Sequence, residues 1–198
     1  WDEAKGLEVF LTAAEARRVL RPLALWLHQE EGRTHADVEE VKRIIGPHLA
    51  QVKRETKQRA EEQLDRVLTS VRDRSGLFVG FDVTRYGFQH LSFQEFLAAE
   101  EIVKQRQDQQ LVDTFGRSWW REPTLLALGM DDPQSQNILL ADLVRAAPEH
   151  NNLDLLLACV REAMAPGVEP FAAALADRQL PWPVRHAAVM CLREISGV

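Results

Sequence analysis

One histidine of this sequence stands where an anion could bind. His90 lies in the stretch RYGFQHLSFQEFLAAEEI (85–102), just ahead of Ser92 and Glu95, whose S-x-x-E spacing is that of a helix capping box. The pattern predicts a helix with Ser92 as its N-cap. His90 would then lie outside the positive end of that helix, where free backbone N–H groups and the helix dipole favour negative charge. A phosphate group suits this position.

The neighbours of His90 are explained by structure alone. Ser92 and Glu95 are used by the capping box, and the apolar residues of the helix are predicted to be core, so neither these residues nor Gln94 is assigned any chemistry. An isolated histidine is more often a structural residue that bonds a backbone carbonyl. For His90 the choice between a phosphate contact and that structural role depends on the surrounding motif.

No other residues form a pattern of catalysis or metal binding. The other five histidines have no H-x-x-x-H spacing and no cysteine partner, and no nucleophile signature occurs, so we predict no catalytic residue and no metal site. Cys159 and Cys191 lie in apolar helical patterns and are predicted to be reduced core residues of a cytoplasmic protein. Trp119 and Trp120 are predicted to be packing residues.

Composition indicates an ordinary globular protein. The chain has 198 residues, 45% hydrophobic and 27% charged, and these figures favour one or two compact cores. A net charge of -6 disfavours nucleic acid and anionic membranes as partners. No apolar run has the length of a membrane span and no signal peptide is recognisable. Because the first residue is Trp1, we expect a piece of a longer protein.

The first part of the chain is predicted to contain three helices and then a hairpin. A second capping box, Thr12 with Glu15, opens a helix that continues as far as Gly32. Thr34 is predicted to cap a second helix that stops before Gly46, and a polar helix follows over about 49–74. Short β-type runs at 76–81 and 86–88 then predict a β-hairpin. This is the element order of a winged-helix domain.

The rest of the chain is predicted to be helical with evenly spaced breaks. Apolar positions recur every 16 residues inside helical runs, at Leu139, Leu155, Phe171 and Ala187. Such a period is typical of stacked helix pairs, and the last unit resembles a HEAT-type repeat. The predicted fold class is therefore mainly α: a winged-helix-like domain with one small β-hairpin over 1–105, followed by an α-solenoid of HEAT-like helix pairs over 106–198.

Several stretches together resemble one protein family. The stretches RSGLFV (74–79) and YGFQHLSFQEFLAA (86–99) look like the winged-helix segment of NACHT-family STAND NTPases, which include the animal NOD-like receptors of innate immunity and many bacterial proteins. LRPLALWLH (20–28) and SWWREPTLLAL (118–128) resemble the first helix of that segment and the helical part that follows it. The resemblance covers roughly residues 10 to 130.

The resemblance implies a role for His90. In this family a P-loop domain precedes the winged helix, whose histidine contacts the β-phosphate of bound ADP and holds the closed resting state. The match assigns that role to His90. No G-x-x-x-x-G-K-[ST] motif and no Walker-B-type pair occur in the sequence. The fragment itself is therefore expected to be no enzyme and to have no cofactor, and ADP or ATP would bind only in the full-length parent, an NTPase.

Three functions remain open from the sequence. The first is a regulatory and scaffold part of a cytoplasmic NACHT-type signalling ATPase: the winged helix senses nucleotide state beside an upstream nucleotide-binding domain, and the repeats bind a protein partner or trigger. The parent would form an oligomer on activation. The second is a winged-helix DNA-binding regulator, although its third helix mixes bases with acids and its wing offers only Arg85. The third is a purely HEAT-like adaptor.

Overall fold

The computed structural model describes residues 11–74, 78–80, 84–130 and 132–197. The chain divides into two compact units, Trp1–Glu101 and Ile102–Val198. The predicted domain ranges, 1–105 and 106–198, stay predictions.

The first unit contains four helices and a small sheet. Its elements, in chain order, are α1 (Ala13–His28), β1 (His35–Asp37), α2 (Val38–Lys53), α3 (Lys57–Arg74), β2 (Phe78–Gly80), β3 (Arg85–Phe88) and α4 (Leu91–Gln105), the last of which runs into the second unit. Helix α1 begins as predicted, because the Glu15 carboxylate accepts the Thr12 N–H at 2.8 Å and the Glu15 N–H donates to the Thr12 hydroxyl at 3.2 Å. The helix ends at His28, before Gly32, whose φ of +82° suits a glycine.

The predicted cap of the second helix is wrong. Thr34 does not cap α2, because His35–Asp37 first form a short strand and α2 begins only at Val38. Asp37 is the N-cap, and its N–H donates to the Glu40 carboxylate at 3.2 Å. The D-x-x-E spacing was available in the sequence. Residues His35–Asp37 are extended because they pair with a strand that is distant in the sequence. A local sequence pattern does not reveal such pairing.

The predicted break at Gly46 and Pro47 is also wrong. Helix α2 continues through both residues to Lys53, and Arg54, in the left-handed region at φ 55°, follows it. The buried face made by Val41, Ile45 and Leu49 stays on one side of the helix across the glycine and proline. Tertiary packing on that face outweighs the local cost of the two residues.

The predicted hairpin is present within a sheet of three strands. β3 lies in the centre, antiparallel to β1 on one side and to β2 on the other. The Phe78 ring is fully buried and lies 5.9 Å from the Tyr86 ring and 5.4 Å from the Phe88 ring, measured between centroids. The turn predicted between the strands falls partly on 81–83, outside the described residues. Three helices, this sheet and α4 make the winged-helix architecture that the sequence predicted.

The second unit is a set of packed helices. They are α5 (Gln109–Asp113), α6 (Arg121–Met130), α7 (Pro133–Ala146), α8 (Leu153–Glu162), α9 (Glu169–Ala176) and α10 (Trp182–Ser196). Alternate helices pack on each other: α8 contacts both α6 and α10, and α7 contacts α9. The four residues that recur every 16 positions are all buried. The predicted fold class, mainly helical with packed helices after the winged helix, is confirmed, while the HEAT-like assignment stays a prediction.

The cysteines of this unit are core residues, as predicted. Cys159 of α8 and Cys191 of α10 are free and buried. Burial raises the pKa of both thiols to about 12, because a thiolate is poorly solvated among apolar side chains. Both side chains are therefore neutral thiols at physiological pH.

Candidate functional site

His90 lies on the surface between β3 and α4. Helix α4 begins at Leu91, two residues before Phe93, the first helical residue expected from a cap at Ser92; helix ends vary by one or two residues with the criterion used. The Phe93 N–H donates to the His90 carbonyl at 3.1 Å, and the two rings are 5.7 Å apart between centroids. The His90 side chain is exposed and therefore accessible to a ligand or a neighbouring domain.

The end of α4 beside His90 has the chemistry of an anion site. The helix has 15 residues, and the backbone N–H groups of a first turn lack partners inside their own helix. An imidazole next to them adds a ring N–H donor for an oxyanion. This geometry allows a phosphate contact at His90, and the contact itself stays a prediction.

A buried glutamine fixes the first turn of α4. The Gln94 side chain is fully buried, and its Nε2 donates to the Arg33 carbonyl oxygen at 3.0 Å. The Nδ1 atom of His28, also fully buried, lies 3.5 Å from the same Nε2. These contacts attach α4 to the end of α1 and the segment after it, and so they set where His90 projects.

Arg33 holds the segment that accepts this hydrogen bond. Its guanidinium lies 3.7 Å from the centroid of the Trp26 ring, and it donates to the carbonyl oxygens of Trp26 and Leu27, to the latter at 3.3 Å. Glu30 accepts from Arg33 Nη1 at 2.9 Å. Free carbonyls at the end of α1 are thereby satisfied. The Arg33 backbone is consequently well positioned to receive Gln94.

Ion pairs attach the other end of α4 to α1. Arg21 contacts Glu100 through Nη1 at 2.9 Å and Glu101 through Nε at 3.3 Å, and Arg17 also pairs with Glu100. Both glutamates are buried. Nearby, burial lowers the pKa of the half-buried His48; Arg21 lowers it further, while Glu101 acts in the opposite direction. Helix α4 is thus held by hydrogen bonds near its start and by ion pairs further along, and His90 immediately precedes it.

The sequence analysis did not find the contacts that position His90. It gave Gln94 no partner and gave His28 no role, although Gln94 lies three and four residues before the buried Leu97 and Ala98 and so shares their helical face. That spacing was the available signal. No sequence signal identified its partner, a backbone carbonyl 61 residues away along the chain.

The remaining candidates are structural. Trp120 is buried and Trp119 half-buried, as expected for packing residues. Within the described part of the chain, no three or more His, Cys, Asp and Glu side chains are grouped as metal ligands. Of the helices in that same part, none has both the length and the apolar character that crossing a membrane requires.

The fold and the position of His90 define a winged-helix domain with an exposed histidine at the start of its closing helix. Residues 5–102 match the family described as winged helix-turn-helix domain C-terminal to NACHT. These residues therefore form a winged-helix domain of this family, of the kind that follows a NACHT domain in the same chain. The match ends before the stretch 118–128. Comparisons with curated proteins and with solved structures gave no match.

Proposed function

We propose that this chain is the regulatory part of a NACHT-type signalling NTPase, in which the winged helix senses the nucleotide state of an upstream NACHT domain. The observation that carries the proposal is the exposed His90 just before α4, a helix bonded to the Arg33 carbonyl near its start and to Arg21 of α1 further along. His90 contacts the β-phosphate of ADP, and the helical unit binds a protein partner or trigger.

The mechanism is a restraint on the resting state. While ADP is bound, the imidazole bonds the β-phosphate and ties the winged helix to the nucleotide domain. A charge-assisted hydrogen bond of this kind contributes roughly 1.5–3 kcal/mol. When the diphosphate leaves or is replaced, the bond is lost and the population shifts toward the open, signalling state. Because α4 is held near its start and further along, His90 reports movement of the whole winged helix rather than of a loose loop.

Hydrolysis belongs to the upstream domain on this proposal. The 198 residues contain no Walker A motif, so they lack the backbone and lysine that hold the β- and γ-phosphates. We therefore assign the chain regulation rather than catalysis, with ADP and ATP as ligands of the longer protein.

Replacing His90 in the longer protein tests the proposal. We expect His90→Ala to raise the ADP off-rate by about ten-fold or more, because one charge-assisted hydrogen bond is lost. Since His90 is exposed, the melting temperature without nucleotide should hardly change. The measurement is release of a fluorescent ADP analogue by stopped flow, with thermal melts in parallel.

His35→Ala is the matched control, because His35 is an exposed histidine of the same winged helix, in β1. Its ADP off-rate should equal that of the unaltered protein. An unchanged off-rate in His90→Ala, or a large fall in melting temperature without nucleotide, would mean that His90 has only a structural role. That result would favour the alternative of a purely HEAT-like adaptor, because an adaptor needs no nucleotide contact.

A further inference from the structure

The start of α10 carries an unusual exposed tryptophan. Trp182 is 64% exposed, and the prolines on either side of it, Pro181 and Pro183, are exposed as well. A large aromatic ring in water loses the free energy that its burial would provide. Tryptophan is also among the residues that contribute most to binding at protein interfaces. The position therefore has the character of a contact point rather than of core.

An arginine and a histidine lie against this ring. The Arg185 guanidinium lies 5.8 Å from the Trp182 ring centroid, and the His186 ring lies 5.8 Å from it, centroid to centroid. These residues follow Trp182 by three and four positions and share its face of α10. Arg178 is exposed in the turn just before the helix. We call Arg178, Trp182, Arg185 and His186 the α10 patch.

The patch is positive in a negative molecule. Its two arginines, Arg178 and Arg185, have one acid close to them in sequence, Asp177, whereas the whole chain has a net charge of -6. Asp177 is engaged locally, since its carboxylate accepts the Gln179 N–H at 2.9 Å. Several other arginines of the unit are paired with carboxylates, as Arg161 is with Glu194 at 2.7 Å. Among the described residues, no carboxylate lies within ion-pair distance of Arg178 or Arg185.

We propose that the α10 patch binds an acidic linear segment of a partner protein, with an apolar or aromatic side chain seated on Trp182 and acidic side chains on Arg178 and Arg185. This inference rests on the proposed function for the idea that the helical unit binds a partner, and it adds the surface and the chemistry of that partner. Charge complementarity selects an acidic segment. A nucleic acid is disfavoured because two arginines in a net negative chain neutralise few phosphates.

The test uses the 198-residue chain and a fluorescein-labelled peptide in which Glu alternates with Leu and Phe. The same peptide with Gln in place of Glu is the neutral probe, and single-stranded oligothymidylate is the nucleic-acid probe. We expect anisotropy to show binding of the acidic peptide that weakens as salt rises. The neutral peptide should bind less tightly, and oligothymidylate should bind less tightly than the acidic peptide.

Two variants locate the binding on the patch. Trp182→Ala should weaken the binding of the acidic peptide by about ten-fold or more, because truncating a central aromatic contact has an effect of that size. Arg185→Glu should also weaken it and reduce the salt dependence. The matched controls are Ile138→Ala, an exposed apolar residue of α7, and Arg117→Glu, an exposed arginine; neither should change the affinity. Since all four side chains are at the surface or half-exposed, circular dichroism should remain that of the parent chain.

The proposal is overturned if the acidic peptide does not bind, if Trp182→Ala binds it as tightly as the parent chain, or if oligothymidylate binds more tightly. None of these measurements involves nucleotide or the upstream domain. Their failure would leave the role proposed for His90 intact, and an unchanged ADP off-rate in His90→Ala would leave the peptide result intact.

Discussion

Two polar residues at the start of α4, His90 just before the helix and Gln94 in its first turn, have opposite environments. His90 is exposed and is available to a ligand, whereas Gln94 is fully buried and bonds the Arg33 carbonyl. A buried amide is retained only when its hydrogen bonds are made, because leaving such a group or its partner unpaired costs free energy. We infer that Gln94 positions the turn and His90 acts from it.

Replacing Gln94 should therefore destabilise the first unit. Gln94→Leu keeps the approximate volume but leaves the Arg33 carbonyl without this donor, and we expect the free energy of unfolding to fall by about 1–3 kcal/mol. Urea denaturation followed by circular dichroism measures it. Gln58→Ala, at an exposed position of α3, is the control and should stay close to the parent value. Equal midpoints for Gln94→Leu and the control would contradict the positioning role.

At the scale of the element, α2 shows a helix that passes through two poor helix formers. Gly46 is buried against α3, and a Cβ built on it would lie 3.5 Å from Leu64 Cδ1, an ordinary contact distance. Pro47 is exposed, so the missing N–H and the ring face solvent rather than the core. The continuous apolar face toward its neighbours, and not local propensity, keeps α2 intact.

Substituting alanine at two glycines should have opposite effects. Gly46→Ala should raise the free energy of unfolding by roughly 0.5–1 kcal/mol, because alanine loses less backbone entropy in a helix and its Cβ fits beside Leu64. Gly32→Ala should lower it by roughly 1–2 kcal/mol, because φ is +82° there and a Cβ is strained in that region. Urea denaturation compares the two with the parent chain; a shift of the same sign in both would refute this account of α2.

At the scale of the whole molecule, charge bears on the DNA-binding alternative. Helix α3 is the candidate recognition helix, and its bases are balanced by acids: Lys57 lies 3.8 Å from Glu61, and Arg59 lies 4.0 Å from Glu55. The chain as a whole has a net charge of -6. Contacts between basic side chains and phosphates supply most of the affinity of such proteins for DNA. This surface, with its bases paired to acids, lacks that attraction.

We therefore expect weak, non-specific binding to duplex DNA. At physiological salt the dissociation constant should be no tighter than about 10⁻⁶ M, with no preference among sequences. Anisotropy titrations with several labelled duplexes measure it, and a basic winged-helix protein serves as the positive control. A footprint at one sequence with submicromolar affinity would establish the DNA-binding regulator instead.

The sequence determined those features that depend on nearby residues. The Thr12 capping box, the hairpin of β2 and β3 and the burial of the two cysteines follow from short-range spacing, and the recurrence every 16 residues follows from repetition of such spacing in successive helices. The family assignment was also within reach, because the stretch 86–99 is continuous. Such signals are carried by propensity and periodicity, which act locally.

The tertiary structure decided what depends on residues far apart in the chain. β1 exists because His35–Asp37 pair with Arg85–Gly87, and α2 continues past Gly46 because its apolar face packs on both α1 and α3. Gln94 has a role only once Arg33 lies beside it. Each of these contacts closes a loop of dozens of residues, and its free energy comes from packing and hydrogen bonds that no local window contains.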